Sequence, residues 1–238
     1  MNKNTMNSQY QGWSVAAASP ETRVDFLHKT YQHLALAICA FIGLEALLLR
    51  IEPLRQASLQ MAGGFSWLIV LLVFGVVSRV AHSWATDAVT PGKAYAGLAL
   101  YVVMEALIFL PLLTIATYYV GDSRLILKAG LYTAITFGGL TATVLMTKAD
   151  LTFLGGILRV LFWAALATIV VSVLFGLSLG TWFAAAMAVF AGGAIAYETS
   201  NMVHHYRPGQ HVAAALGLFS SVALLFWYVL QIVMSSRD

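Results

Sequence analysis

The side chains in this sequence that could do chemistry stand where charge is costly. Glu198 closes "TWFAAAMAVFAGGAIAYE", a run otherwise free of charge, while Glu105 sits in "YVVMEALIFLPLL" and Glu45 in "FIGLEALLL". Arg79 and Arg159 interrupt two further apolar runs. A charged group surrounded by hydrocarbon costs at least a few kcal/mol unless it is protonated, paired or in contact with water. Such groups must therefore face the inside of an assembly, where handling protons or ions is their default chemistry. A second set is made of histidines and a serine: Ser78 and His82, four apart in "SRVAH", and His204, His205 and His211 around "YRPGQ". These are the residue types of a membrane zinc hydrolase. The spacing fails, because His205 and His211 straddle a Pro-Gly turn, and no Gly-x-Ser-x-Gly element is present. Interfacial histidines, without enzymatic work, are the expectation.

Those side chains need a scaffold that crosses a bilayer. With 60% hydrophobic and 10% charged residues and a mean hydropathy of +0.82, the 238-residue chain has more apolar surface than one water-soluble core can hide. About 20 helical residues cross a bilayer. Apolar segments of that length lie at roughly 30–50, 64–86, 94–120, 128–147, 152–176, 181–203 and 211–234. The breaks between them, such as "RIEPLRQ", "TDAVTPGKA" and "YRPGQH", hold Pro, Gly and charge, which disfavour helix or demand water. This predicts an all-α polytopic membrane protein of seven spans joined by short loops. Residues 23–238 form the transmembrane domain, and 1–22, beginning "MNKNTMNSQYQGWS", form a polar, mobile tail. The first apolar segment is retained rather than cleaved, since no small-residue cleavage site follows it. Cys39 is alone, which leaves no intramolecular disulfide. A net charge of +3 scattered near helix ends suits lipid headgroups and offers no basic stripe for nucleic acid.

With the N-terminus inside, the inner ends carry Lys3, Arg23, Lys29, Lys93, Lys148 and Arg207, against Arg50, Arg55, Arg124, Lys128 and Arg237 outside. Arg79 and Arg159 fall toward that inner end too. A cytoplasmic N-terminus and an opposite C-terminus are the expectation. At 1.5 Å per residue Glu198 then lies in the inner half of the bilayer, Glu105 nearer the midplane and Glu45 toward the outer end. At 100° per residue Glu198 shares a face with Ala184, Ala188, Ala191 and Ile195. In the seventh span Ala213, Gly217 and Ser221 repeat every four residues, so two stripes of mostly small residues can pack closely. We expect Glu198 beside Ser221, with Arg79, Arg159 and Glu105 as charge partners.

Three stretches, "FLHKTYQHLALAI", "FGGLTATVLMTKADLTFLGG" and "AYETSNMVHHY", resemble the first-span, fourth-span and sixth-span motifs of the transmembrane Bax inhibitor motif family, in its bacterial type. The resemblance extends from about residue 23 to the end of the chain. It implies a seventh span at the centre, wrapped by the other six, in a bacterial inner membrane. It also implies a proton-sharing carboxylate pair that gates a pH-sensitive calcium leak, at positions falling on Glu198 and Ser221. The sequence departs at both: Glu replaces the usual Asp at 198, and Ser replaces the second Asp at 221. Two buried carboxylates near contact hold one proton between them, a property that a single carboxylate lacks. Calcium prefers six to eight oxygens, so it would be a weakly bound permeant ion rather than a resident cofactor. Two functions stay open: a cation leak with a weakened or abolished site, and a non-conducting regulator such as a modulator of a membrane-anchored ATP-dependent protease.

Overall fold

The computed structural model describes residues 14–87, 90–122 and 124–236. Its long helices are α1 (Pro20–Leu48), α3 (Gly64–Ala85), α4 (Pro91–Thr114), α5 (Arg124–Thr147), α6 (Leu154–Phe175), α7 (Gly180–His204) and α8 (His211–Ser235). A shorter helix, α2 (Glu52–Met61), precedes α3, and α4 runs on into a π-helical turn at Ile115–Tyr119. Seven helices, α4 with its π turn counted as one, are long and apolar enough to cross a membrane. The sixth and seventh expected spans are α7 and α8.

Helix α8 is apolar on every side and is buried accordingly. Every residue from Val212 to Phe219 is buried. It packs against α1, α3, α4, α5 and α7, and its run of Ala213, Ala214, Ala215 and Gly217 lets the neighbouring backbones come close. Two features refine the expected central helix wrapped by the other six. The apolar window of α4 is as deeply buried as that of α8, so the centre holds two helices. Helix α6 packs mainly against α7 and α3, standing off from α8. Between α1, α4 and α8 the core is aromatic. Phe109 meets Phe41 edge-on at 5.1 Å and Trp227 edge-on at 5.0 Å, and stacks on Phe226 at 5.7 Å.

Two further expectations need correction. The break at "RIEPLRQ" is a ten-residue helix rather than a simple loop, started by Pro53 in its first turn with Glu52 beside the helix N-terminus, and it lies against α4. Arg55 covers the Tyr118 ring at 3.9 Å, and the Tyr118 hydroxyl donates to the Leu49 carbonyl at 3.1 Å. The first span begins at Pro20, about ten residues before its apolar stretch. Ser19 caps it by accepting from the Thr22 N–H, and Pro20 occupies the first turn, where a missing N–H costs nothing.

The expected mobile tail meets the described residues from Ser14 onward; residues 1–13 lie outside them. From Ser14 the chain is docked. Val15 is fully buried in a short 3₁₀ turn, its N–H donates to the Tyr206 carbonyl at 2.8 Å, and the Arg23 guanidinium donates to the Ala16 carbonyl at 2.6 Å.

Candidate functional site

Glu198 lies near the end of α7, facing α8 at Gly217. The approach is so close that a Cβ at position 217 would fall 2.7 Å from Glu198 Oε2 and 3.1 Å from its Cδ. With glycine there the carboxyl group packs directly on the α8 backbone, and a side chain at 217 would require Glu198 to shift. The Tyr206 hydroxyl reaches the same oxygen at 3.5 Å, the long limit of a hydrogen bond. Tyr206 sits in the corner between α7 and α8, where its N–H donates to the Asn201 carbonyl at 3.1 Å and its carbonyl receives Val15. Burial, reinforced by the Glu198 charge, pushes the Tyr206 phenol above its ordinary range. It therefore stays protonated and remains a donor to Glu198.

Ser221 shares this interface without bonding to Glu198. Its hydroxyl donates to the Gly217 carbonyl at 3.0 Å, and Ser220 donates to the same oxygen at 2.9 Å. Glu198 touches Gly217 from α7, while Ser221, one turn further along α8, holds the Gly217 carbonyl. The expected small-residue stripe is present, with Ala184, Ala191, Ile195, Ala213 and Ser221 all buried.

Arg79 and Arg159 are exposed, and among the described residues neither is paired with Glu198. The ion pairs found there are Lys29 with Asp25 and Lys93 with Asp87. Both arginines are on faces of their helices that point away from the bundle, where a long side chain can reach a membrane surface. Glu105 is buried on α4, one turn beyond the buried Tyr101. Glu45 stands apart: it is buried on α1, and neither of its oxygens has a hydrogen-bond partner among the described residues.

The serine and histidine set does not assemble a nucleophile. His82 Nδ1 bonds the Ser78 backbone carbonyl at 2.9 Å, while the Ser78 hydroxyl has no hydrogen-bond partner among the described residues. His204 Nδ1 bonds the Ser200 carbonyl at 2.9 Å in the same manner. His211 lies against His33, with ring centroids 5.0 Å apart.

Sequence reasoning missed Tyr206 and Ser200. The signal for Tyr206 was its place in "AYETSNMVHHY", eight residues after Glu198 and just beyond the helix end. Ser200 is fully buried; it accepts from the Leu151 N–H at 2.8 Å and contacts the Ala149 carbonyl at 3.2 Å. It thereby fastens α7 to the turn between α5 and α6. In that turn Lys148 adopts a left-handed φ of 51°. The Thr152 hydroxyl and N–H there hold the Asp150 carboxyl below its usual range. Removing a partner so that buried backbone groups are left unpaired costs about 1–3 kcal/mol. Ser200→Ala is expected to lose that much stability, read as a lower midpoint for unfolding in mixed detergent micelles.

The comparisons with known proteins agree with this architecture. Residues 23–238 match the family described as inhibitor of apoptosis-promoting Bax1. The chain is 28% identical to mouse protein lifeguard 4 over 92% of its own length and 89% of that relative's. It is 30% identical to an uncharacterized protein of Pseudomonas aeruginosa, over 94% of this chain and 95% of the other. A shorter stretch of 108 residues, 44% of this chain and 49% of the relative, is 32% identical to YccA, the modulator of FtsH protease, of Escherichia coli. Seven membrane-length helices, with α8 buried among them, and a family match across nearly the whole chain place this protein in the Bax inhibitor family as an integral membrane protein.

Proposed function

We propose that this protein is a cation leak of weakened, calcium-permeable type, without enzymatic activity, in which Glu198 is the ion- and proton-responsive group. The observation that carries the reading is the fit of the Glu198 carboxyl against Gly217, where an added Cβ would displace it. A carboxylate set into a helix crossing in this way blocks the crossing when it is seated and opens it when it withdraws. Tyr206 keeps it seated by donating to Oε2. Calcium takes six to eight oxygens, and one carboxylate with a phenol and a few carbonyls gives it only a passing stop. An inner-membrane location suits the Escherichia coli relative named inner membrane protein YccA, and a cytoplasmic N-terminus suits the distribution of Lys and Arg.

Ser221→Asp tests the site. The new carboxylate would stand one turn from the glycine that Glu198 touches, so the two would share a proton and couple opening to acidity. In liposomes loaded with a calcium dye, Ser221→Asp should respond more steeply than wild type to pH steps between about 6 and 8. An equally shallow response in a folded variant would separate Ser221 from the site.

A second reading has its own support. The Escherichia coli relative is named a modulator of FtsH protease, and the docked residues 14–18 of this chain bond directly to the Tyr206 corner. A membrane protease that draws on the N-terminal tail would pull on the residue that seats Glu198. A wild-type protein that passes no cation in the liposome assay would favour this reading.

A further inference from the structure

The standoff of α6 from α8 leaves a cavity of about 610 Å³, within the range of sites that hold drug-sized molecules. It runs from the end of the bundle opposite the N-terminus, where Thr181 and Gln231 line it, down to Glu105. Its walls are aromatic and aliphatic: Trp67 stacks on Trp227 at 6.0 Å, and Phe74 and Phe109 lie deeper. Glu105 is 6% exposed, and its Oε2 has no hydrogen-bond partner among the described residues. Among the described residues lining the cavity there is no Lys, Arg or His to meet that carboxylate.

We propose that this cavity is a binding site for a hydrophobic organic cation, whose charge meets Glu105 and whose apolar body fills the space between α3, α4, α6, α7 and α8. The inference is independent of whether the protein conducts ions. A carboxylate that has lost its water and has no cationic neighbour is stabilised by any positive charge brought to it. Aromatic faces such as those of Trp67 and Trp227 add attraction for a cation and none for an anion. An apolar body suits the rest of the lining, which offers few hydrogen bonds. A fatty acid would fit the apolar space but would set its carboxylate against Glu105 with no counter-charge nearby.

Tetraphenylphosphonium and tetraphenylborate have nearly the same shape and opposite charge, and neither titrates. Equilibrium binding of each to the purified full chain in lipid nanodiscs, with empty nanodiscs subtracted, tests the proposal. Tetraphenylphosphonium should bind saturably, one per chain, and quench tryptophan fluorescence, while tetraphenylborate, measured separately, should not. Glu105→Gln should weaken it by at least about tenfold. Ile169→Trp, which fills the cavity from the peripheral helix α6, should remove binding while Glu105 stays in place. Saturable binding unchanged in both variants would overturn the site. Tetraphenylborate binding as tightly as tetraphenylphosphonium would overturn the charge assignment, and binding no greater than to empty nanodiscs would overturn the proposal whole.

Discussion

Gly97→Ala is expected to destabilise the protein by about 3 kcal/mol, the upper end of what overpacking a tight core usually costs. A Cβ at position 97 would lie 2.5 Å from the Ala81 carbonyl oxygen and 2.8 Å from the Ala85 nitrogen. Both are backbone atoms of α3, so no rotamer change relieves the clash and the helices must move apart. Ala81 and Ala85 are themselves buried, which shows how closely α3 and α4 cross. Gly43→Ala is the matched control, because a Cβ there meets nothing within 4 Å. In α1 it should leave stability unchanged or raise it by up to about 1 kcal/mol through helix propensity. Unfolding of both variants in mixed micelles, followed by far-ultraviolet circular dichroism, compares them directly. Equal midpoints for the two would mean that the crossing of α3 and α4 is looser than the structure has it.

Most of the fold was legible because the bilayer imposes a length and an apolarity that a sequence cannot conceal. Six of the seven expected spans fall within a few residues of the observed helices. The first does not, since apolarity marks where a helix enters hydrocarbon and says nothing of a polar turn projecting from it. The start signal "SPET" was present and is a capping signal rather than a hydropathic one. Helix α2 was hidden for a related reason: its Pro and charges read as a break, yet Pro in a first turn begins a helix as readily as it ends one. The facing stripes of α7 and α8 were legible from their period of about four residues. What Glu198 meets within that interface was not. Depth along a helix suggested Arg79 and Arg159 as partners, but their exposure depends on how α3 and α6 are rotated and packed, which pairwise spacing does not encode. Tyr206 was overlooked because it follows the helix end, where its N–H bonded back to the Asn201 carbonyl keeps it beside the carboxylate.

Glu198 is the group proposed to answer to protons and cations. Glu198→Gln keeps the shape of the side chain and its capacity to accept from Tyr206, and it removes only the charge and the titration. Wild type reconstituted in liposomes is expected to pass calcium with a shallow response to pH between about 5 and 8, the physiological range of proton switching. In Glu198→Gln, calcium flux should fall about tenfold, equivalent to about 1.4 kcal/mol, and its pH response should vanish. Calcium flux at matched protein density, wild type against Glu198→Gln, is therefore the direct measurement. A lower, pH-independent flux in a folded variant is the expected result, and a variant that passes calcium at the wild-type rate with the wild-type pH response would contradict the account.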